Sequence, residues 1–377
     1  MWEYEVKFTE TQSTVLNLSS WSPRFRRDCS TDWRQPLALL VFSLLPASGF
    51  AQLQPTKPAN LELYVSETHD RVVFDKDAIL SGPIPYWSQG YLISTETENF
   101  SPGTPNVALY SRSTGSKSTE VAFWFPESQR VVVTSAAVTN NSGIVASGEA
   151  DKADGTRAPF IALANSKGQI TNVIQTQDFY PRNICAAPDG SVWAFGGMMW
   201  DYSKKEPFPG NILRRFDFQR GETASYIPLS SFPKRMGPAV LAFIRCTPDA
   251  VFAYSTRASV LIELQYKSQT PRIYNASTPD ELVVWGLAVT GSDAVYGLLG
   301  DPPDRNDDSG KNGMYFLAVD ERTQTAQWRP VKGAVGRRID PGVVTDVWGA
   351  DGENLVVSRA GDSLESTALH WVSILQK

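Results

Sequence analysis

The stretch "ICAAPDGSVWAFGG", residues 184 to 197, holds two short apolar runs around a turn at Pro188, Asp189 and Gly190, and its second run ends in two glycines. Gly supplies the positive φ of a tight turn and Asp bonds its own backbone two residues on, so the stretch predicts two antiparallel strands. The outline returns in "AAVTNNSGIVASG" (136 to 148), "IRCTPDAVFAYS" (244 to 255), "LAVTGSDAVYGLLG" (287 to 300) and "VWGADGENLVVS" (347 to 358). The turn residues Asn141, Asp189, Asp249, Asp293 and Asp351 recur 48, 60, 44 and 58 residues apart. That spacing suits one four-stranded unit each.

Further apolar runs follow the hairpins, as in "NILRRFDFQRGETASYI" (211 to 227), "SVLIELQYKSQTPRIY" (259 to 274) and "GMYFLAVDERTQTAQW" (313 to 328). Four antiparallel strands per repeat make a propeller blade, and blades stacked around an axis bury both faces of each small sheet. Units fall near 82 to 126, 131 to 176, 181 to 229, 240 to 276, 283 to 330 and 343 to 375. The expected fold is therefore all-β, a six-bladed β-propeller of four-stranded antiparallel blades, with seven blades as the alternative. The last unit shows three strands, so an N-terminal strand is expected to close the ring, either "LELYVSE" (61 to 67) or "RVVFD" (71 to 75).

Composition agrees. The 377 residues are 42% hydrophobic and 20% charged, as in an ordinary folded chain. Eleven Trp, 13 Tyr and 18 Phe beside 27 Gly and 25 Pro favour short strands and turns over long helices. A net charge of -5 gives no ground for nucleic-acid binding.

The N-terminus reads differently. "PLALLVFSLLPASGFAQ" (36 to 52) has an apolar centre preceded by Arg24, Arg26, Arg27 and Arg34, with Gly49 and Ala51 at the small-residue positions of a signal-peptidase site. Cleavage is expected before Gln52, leaving residues 52 to 377 as the propeller domain in the periplasm or outside the cell. Residues 1 to about 23 read as an extension from a start assigned too far upstream. The apolar run is shorter than the roughly 20 residues of a membrane span, so no span is expected after cleavage. Cleavage also removes Cys29 and leaves Cys185 and Cys246. Two buried free thiols are the favoured expectation for that pair, with a disulfide as the alternative.

The "PDG" turn followed by an aromatic-containing strand resembles bacterial propellers of the NHL and gluconolactonase-like type, over about residues 80 to 377. Hydrolytic members of that group hold a divalent metal on the axis with carboxylate and amide ligands. At the inner strands this chain offers Asn183, Arg245, Trp285 and Asp346, which do not match such a set, so the family's chemistry is not carried over and no metal or cofactor is expected.

Chemistry-bearing motifs are sparse. His69 and His370 are the two histidines, both expected in outer or late strands. No Gly-rich phosphate loop follows a strand and opens a helix. "DPPDRNDDSGKNG" (301 to 313) places Asp304, Asn306 and Asp308 at calcium-loop spacing, but Ser309 stands where the turn Gly belongs and no closing Glu follows, so it reads as a solvated acidic loop.

Loop geometry says more. The loops between second and third strands are long, at 95 to 106, 148 to 159, 197 to 210 and 300 to 313, and share a face with the loops that lead into the inner strands. Those leading loops carry Arg130, Arg182, Lys234, Arg235, Arg337 and Arg338 in an otherwise acidic chain. Converging on a mouth, they would suit a carboxylate, phosphate or sulfated sugar. Trp200 and Tyr202 form a second candidate surface. The leading reading is a non-catalytic binding module for a protein partner or an anionic or carbohydrate ligand. The rivals are a propeller-type lyase or hydrolase and a structural partner in an envelope assembly.

Overall fold

In the computed structural model, residues 62–75, 78, 86–95, 99–201, 203–231, 242–303, 308–362 and 367–376 are described. The expected signal segment and the Ala51–Gln52 boundary lie outside them. Burial changes strand by strand: Ala250–Ser255 and Val295–Gly300 are buried throughout, whereas Ile170–Gln175 alternates between half-buried and exposed positions. Continuous burial requires cover on both faces of a sheet, and alternation marks an outer strand with one face in water.

The described chain opens with β1 (Leu63–Val65) and β2 (Asp70–Phe74). A first blade follows as β3 (Tyr86–Ser88), β4 (Tyr91–Thr95), β5 (Val107–Ser111) and β6 (Lys117–Val121). A second comprises β7 (Ser128–Val138), β8 (Ile144–Lys152), β9 (Arg157–Ala164) and β10 (Ile170–Gln175). The third begins with β11 (Phe179–Ala186) and β12 (Val192–Met198), carries a small hairpin of β13 (Trp200–Asp201) and β14 (Glu206–Pro207), and ends with β15 (Asn211–Asp217) and β16 (Gly221–Pro228). Two more meanders run through β17 (Ala242–Cys246), β18 (Ala250–Ser255), β19 (Val260–Gln265) and β20 (Arg272–Asn275), then β21 (Val283–Val289), β22 (Val295–Gly300), β23 (Asn312–Asp320) and β24 (Thr325–Gly336). The chain ends with β25 (Val344–Asp351), β26 (Asn354–Arg359), β27 (Thr367–Val372) and β28 (Ile374–Gln376). The described residues are otherwise loops, turns and single 3-10 turns, and none forms a helix long and apolar enough to cross a membrane.

Hydrogen bonding yields four separate four-stranded antiparallel sheets and one ten-stranded sheet that unites β17 to β24 with β1 and β28. The expected count of six separate blades, or seven, is corrected accordingly. The fusion lies at an outer edge. Twelve-residue β24 meets β20 in parallel at Asn275 and Thr325, and also pairs with β1. β24 is paired with β23 from Thr325 opposite Asp320 to Gly336 opposite Asn312, and the N–H and C=O groups of its other edge are what β20 and β1 take up.

First strands of the meanders pack on one another in a propeller-like ring: β7 on β11, β11 on β17, β17 on β21, β21 on β25 and β25 on β3. Apolar clusters fill the spaces between neighbouring sheets. Trp87 of β3 meets Trp371 of β27 edge to face at 5.1 Å, and Trp193 of β12 stacks near Tyr226 and Tyr266. Such aromatic pairs add about 0.5–1.5 kcal/mol each beyond their buried area.

The two expectations about ring closure separate cleanly. "RVVFD" supplies the fourth strand of the last blade, since β2 pairs with β27 from Asp70 opposite Trp371 to Phe74 opposite Thr367. "LELYVSE" forms β1 on β28 and β24. Hydrogen bonds of side chains fasten this seam: Thr68 Oγ1 lies 3.1 Å from His370 Nδ1, His370 Nε2 lies 2.7 Å from Asp362 Oδ2, and the Ser373 amide donates to Ser66 Oγ at 3.0 Å. Cys185 of β11 and Cys246 of β17 are joined in a disulfide with Cα atoms 5.6 Å apart. The favoured expectation of two free thiols is corrected. The cysteines lie 61 residues apart in sequence, but neighbouring first strands bring them side by side.

Candidate functional site

Gly196, first of the two glycines that end the opening stretch, has a steric role. A Cβ there would lie 2.0 Å from the Tyr180 carbonyl oxygen and 3.0 Å from the Arg182 amide nitrogen. This close approach accommodates one extra residue in β11. Pro181 stands opposite Gly196 and Asn183 opposite Phe195, so Arg182 between them has no partner in β12. A β-bulge of this kind re-aims the side chain it carries. Arg182 stacks on Tyr180, its guanidinium carbon 4.2 Å from the ring centroid, and among the described residues its guanidinium has no hydrogen-bond acceptor.

Strand β8 supplies Glu149 and Asp151, two positions apart and so on one face of the strand. Arg130 of β7 reaches Asp151 Oδ2 at 2.6 Å and Glu149 Oε1 at 3.9 Å. Arg157, at the start of β9, lies 3.9 Å from Glu149 and 4.0 Å from Asp151 Oδ1. Asp151 Oδ1 is itself buried without a hydrogen bond. Burial pushes the Glu149 carboxyl above its ordinary range; Asp151 adds to the rise, and Arg157 is the strongest charge opposing it. Burial, reinforced by Glu149, also pushes the Tyr180 phenol up to about 12, so near neutral pH the ring is an uncharged surface under Arg182.

The structure places Arg130 inside β7, engaged by carboxylates, rather than in a loop. Arg182 also belongs to a strand. The expected long loop at 148 to 159 is a short turn, because β8 and β9 stay paired as far as Asp151 opposite Arg157. Arg337 and Arg338 follow β24 in a separate cluster. There the Arg338 amide donates to Asp308 Oδ2 at 2.9 Å, and its Nε donates to Asn312 Oδ1 at 3.3 Å. Trp200 is 48% exposed on the small hairpin. Lys234, Arg235 and Tyr202 lie outside the described residues, as do Asp304 and Asn306 of the acidic loop. Among the described residues no group of three or more His, Cys, Asp and Glu is placed to hold a metal.

Glu149, Asp151, Arg157 and Tyr180 went unread in the sequence. The alternation of Glu149 and Asp151 in "GEAD" was the one local signal for them, since it puts two carboxylates on one strand face. Of the inner-strand set, Asp346 is half-buried, and desolvation pushes its carboxyl up to about 6, against a hydrogen bond from Thr345. Arg245 sits over the Tyr86 ring at 4.5 Å. Elsewhere an open groove of about 510 Å³ runs past Asp70, Tyr91 and Arg112, but Arg112 is bound there to Asp70 and Asp351 and lies over Trp371 at 4.4 Å.

No protein-family model matches the chain, and no curated protein matches it. Among solved structures, a Bacteroides fragilis protein provisionally described as exported is 10% identical with a TM-score of 0.48, covering 84% of this chain and 95% of that one. A gluconolactonase from Xanthomonas campestris is 12% identical with a TM-score of 0.41, covering 84% and 94%. A chain of the mitotic checkpoint complex is 10% identical with a TM-score of 0.42, covering 81% and 94%. Likenesses of this size assign neither a ligand nor a reaction.

Proposed function

We propose that the chain is an exported binding module of the periplasm or cell exterior, and that it takes an anionic or carbohydrate ligand at Arg182. The observation that carries this reading is the bulge: Gly196 admits it, the Tyr180 ring stacks on the guanidinium, and the planar donor fork is left without an acceptor among the described residues. Guanidinium forks match carboxylate, phosphate and sulfate oxygens. Arg130 and Arg157 balance Glu149 and Asp151 two against two, so Arg182 leaves the cluster with a local excess of one positive charge. Export follows from the signal-like layout of residues 24 to 52.

The test is a binding screen of uronate-containing, sulfated and neutral oligosaccharides and small carboxylates against wild type and Arg182→Gln. An anionic ligand bound by wild type should lose at least about tenfold in affinity in the variant, as for a charged hydrogen-bonded contact. Its affinity should also fall with salt, since charges at the mouth are screened over about 8 Å at physiological ionic strength. Binding that is equal in both proteins would remove Arg182 from the site.

A catalytic reading rests on Glu149, whose raised carboxyl beside Asp151 is the pairing that acid–base chemistry employs. Turnover of a bound oligosaccharide that disappears in Glu149→Gln, with binding retained, would make the protein a lyase or hydrolase.

A further inference from the structure

A second arginine–tyrosine pair lies within the ring, and its setting differs from that of Arg182. Arg245 projects from β17, and its guanidinium carbon lies 4.5 Å from the ring centroid of Tyr86 on β3. Those strands do not pair with each other in any sheet. Tyr86 also packs against apolar clusters on both sides of the second blade. The contact therefore reaches across the inner side of the ring.

Arg245 is poorly compensated there. Nη1 donates to the carbonyl of its own neighbour Ile244 at 2.8 Å, and Nε is buried with no hydrogen bond. Nη2 has no partner, and no carboxylate lies at ion-pair distance among the described residues. Burial pulls the guanidinium below its ordinary value, with Tyr86 opposing, yet arginine does not give up its proton in proteins. An enclosed cation without a counter-charge is costly. The side chain is only half-buried, so solvent reaches part of it from inside the ring.

Which ligand fits follows from the free atoms. Nε and Nη2 share one edge of the guanidinium, the edge that holds a planar oxyanion with two parallel bonds or a halide between two N–H groups. The Tyr86 ring covers one face and Nε is enclosed, so Nη2 is the unpartnered nitrogen left for a ligand.

We propose that Arg245 binds a small monovalent anion of halide or formate size through Nη2, inside the ring. The ion supplies the counter-charge that the protein does not. This site is separate from Arg182 and does not depend on that residue's role.

Bromide is the probe. Crystals of the mature chain in sodium bromide should give an anomalous peak within about 4 Å of the Arg245 guanidinium, in wild type and in Arg182→Gln alike. In solution, replacing sodium gluconate by sodium bromide at equal ionic strength should raise the wild-type Tm by about 2 °C or more through ligand linkage. Arg245→Met, which keeps bulk and removes charge, should lose that rise. A wild-type crystal with bromide elsewhere but none at Arg245, or the same Tm in both salts, overturns the site. Because the crystallographic readout needs only wild type, the proposal stays testable should Arg245→Met fail to fold.

Discussion

Two seams of the ring are fastened in opposite ways. Between β11 and β17 the Cys185–Cys246 disulfide crosses directly from one first strand to the next. Between the two ends of the chain, β2 lies on β27 and β1 on β28, held by backbone pairing and by the Thr68, His370 and Asp362 hydrogen bonds. A covalent seam persists when the fold loosens, whereas a hydrogen-bonded one exists only while both strands are in register. Opening should therefore begin where the termini meet.

The severest way to break that comparison is to delete residues 60 to 76. Loss of β2 leaves the β27 edge and its apolar neighbours uncovered, and the cost should be several kcal/mol, on the order of a domain's whole stability. Deleting residues 1 to 51 should shift Tm far less. Equal melting of the two truncations would show that β2 does not hold the ring closed.

Reduction of the disulfide, or Cys185→Ser with Cys246→Ser, should cost about 2–5 kcal/mol by releasing the 61-residue separation in the unfolded chain. Chemical denaturation of both forms measures it. If the stapled seam is secondary to the terminal one, hydrogen exchange in the reduced protein should still open first at β2 and β27. Protection lost first at β11 and β17 would invert the ranking.

A third test uses Asp346, which lies in β25 of the closing blade. Its folded value of about 6 stands above the ordinary 3.8, so the unfolded chain releases this proton first as pH rises. The Asp346 contribution is most favourable to folding below about pH 4 and fades as pH climbs to about 6, by up to about 3 kcal/mol. Asp346→Asn should raise stability at pH 7 and flatten that slope between about pH 4 and 6. An unchanged slope in the variant would assign the pH dependence to other groups.

Much of the fold was legible because it is local. Each hairpin turn carries its own signal, as at Asp189 and Gly190, where Gly190 adopts a φ of 82° and Asp189 Oδ1 accepts from the Ser191 amide. The closing strand was legible as one of two alternatives, since an incomplete last blade needs an edge strand and "RVVFD" has the right character. The fused sheet was not, because its single β20–β24 bridge, Asn275 opposite Thr325, joins the edges of two meanders, and no local pattern sets that approach. The site was half legible. Arg182 stood out by charge, but its bulge depends on a backbone approach at Gly196, and Arg130 acquired its carboxylate through a register pairing 21 residues away. Arg245 and Tyr86 meet across the ring, and no local pattern announces such a contact.

Pairing β2 with β27 imposes a waiting time on biosynthesis. Thr68 and His370, which meet at this seam, are 302 residues apart. At about 5–20 residues per second, the ribosome needs roughly 15 to 60 s to make the partner of a strand already synthesised. During that interval β2 is an unsatisfied, valine-rich edge, open to capture by holdase chaperones or by other nascent copies. A chain released early lacks β27 altogether and cannot occupy that edge, so premature termination products should be marked for proteolysis by the segment made first.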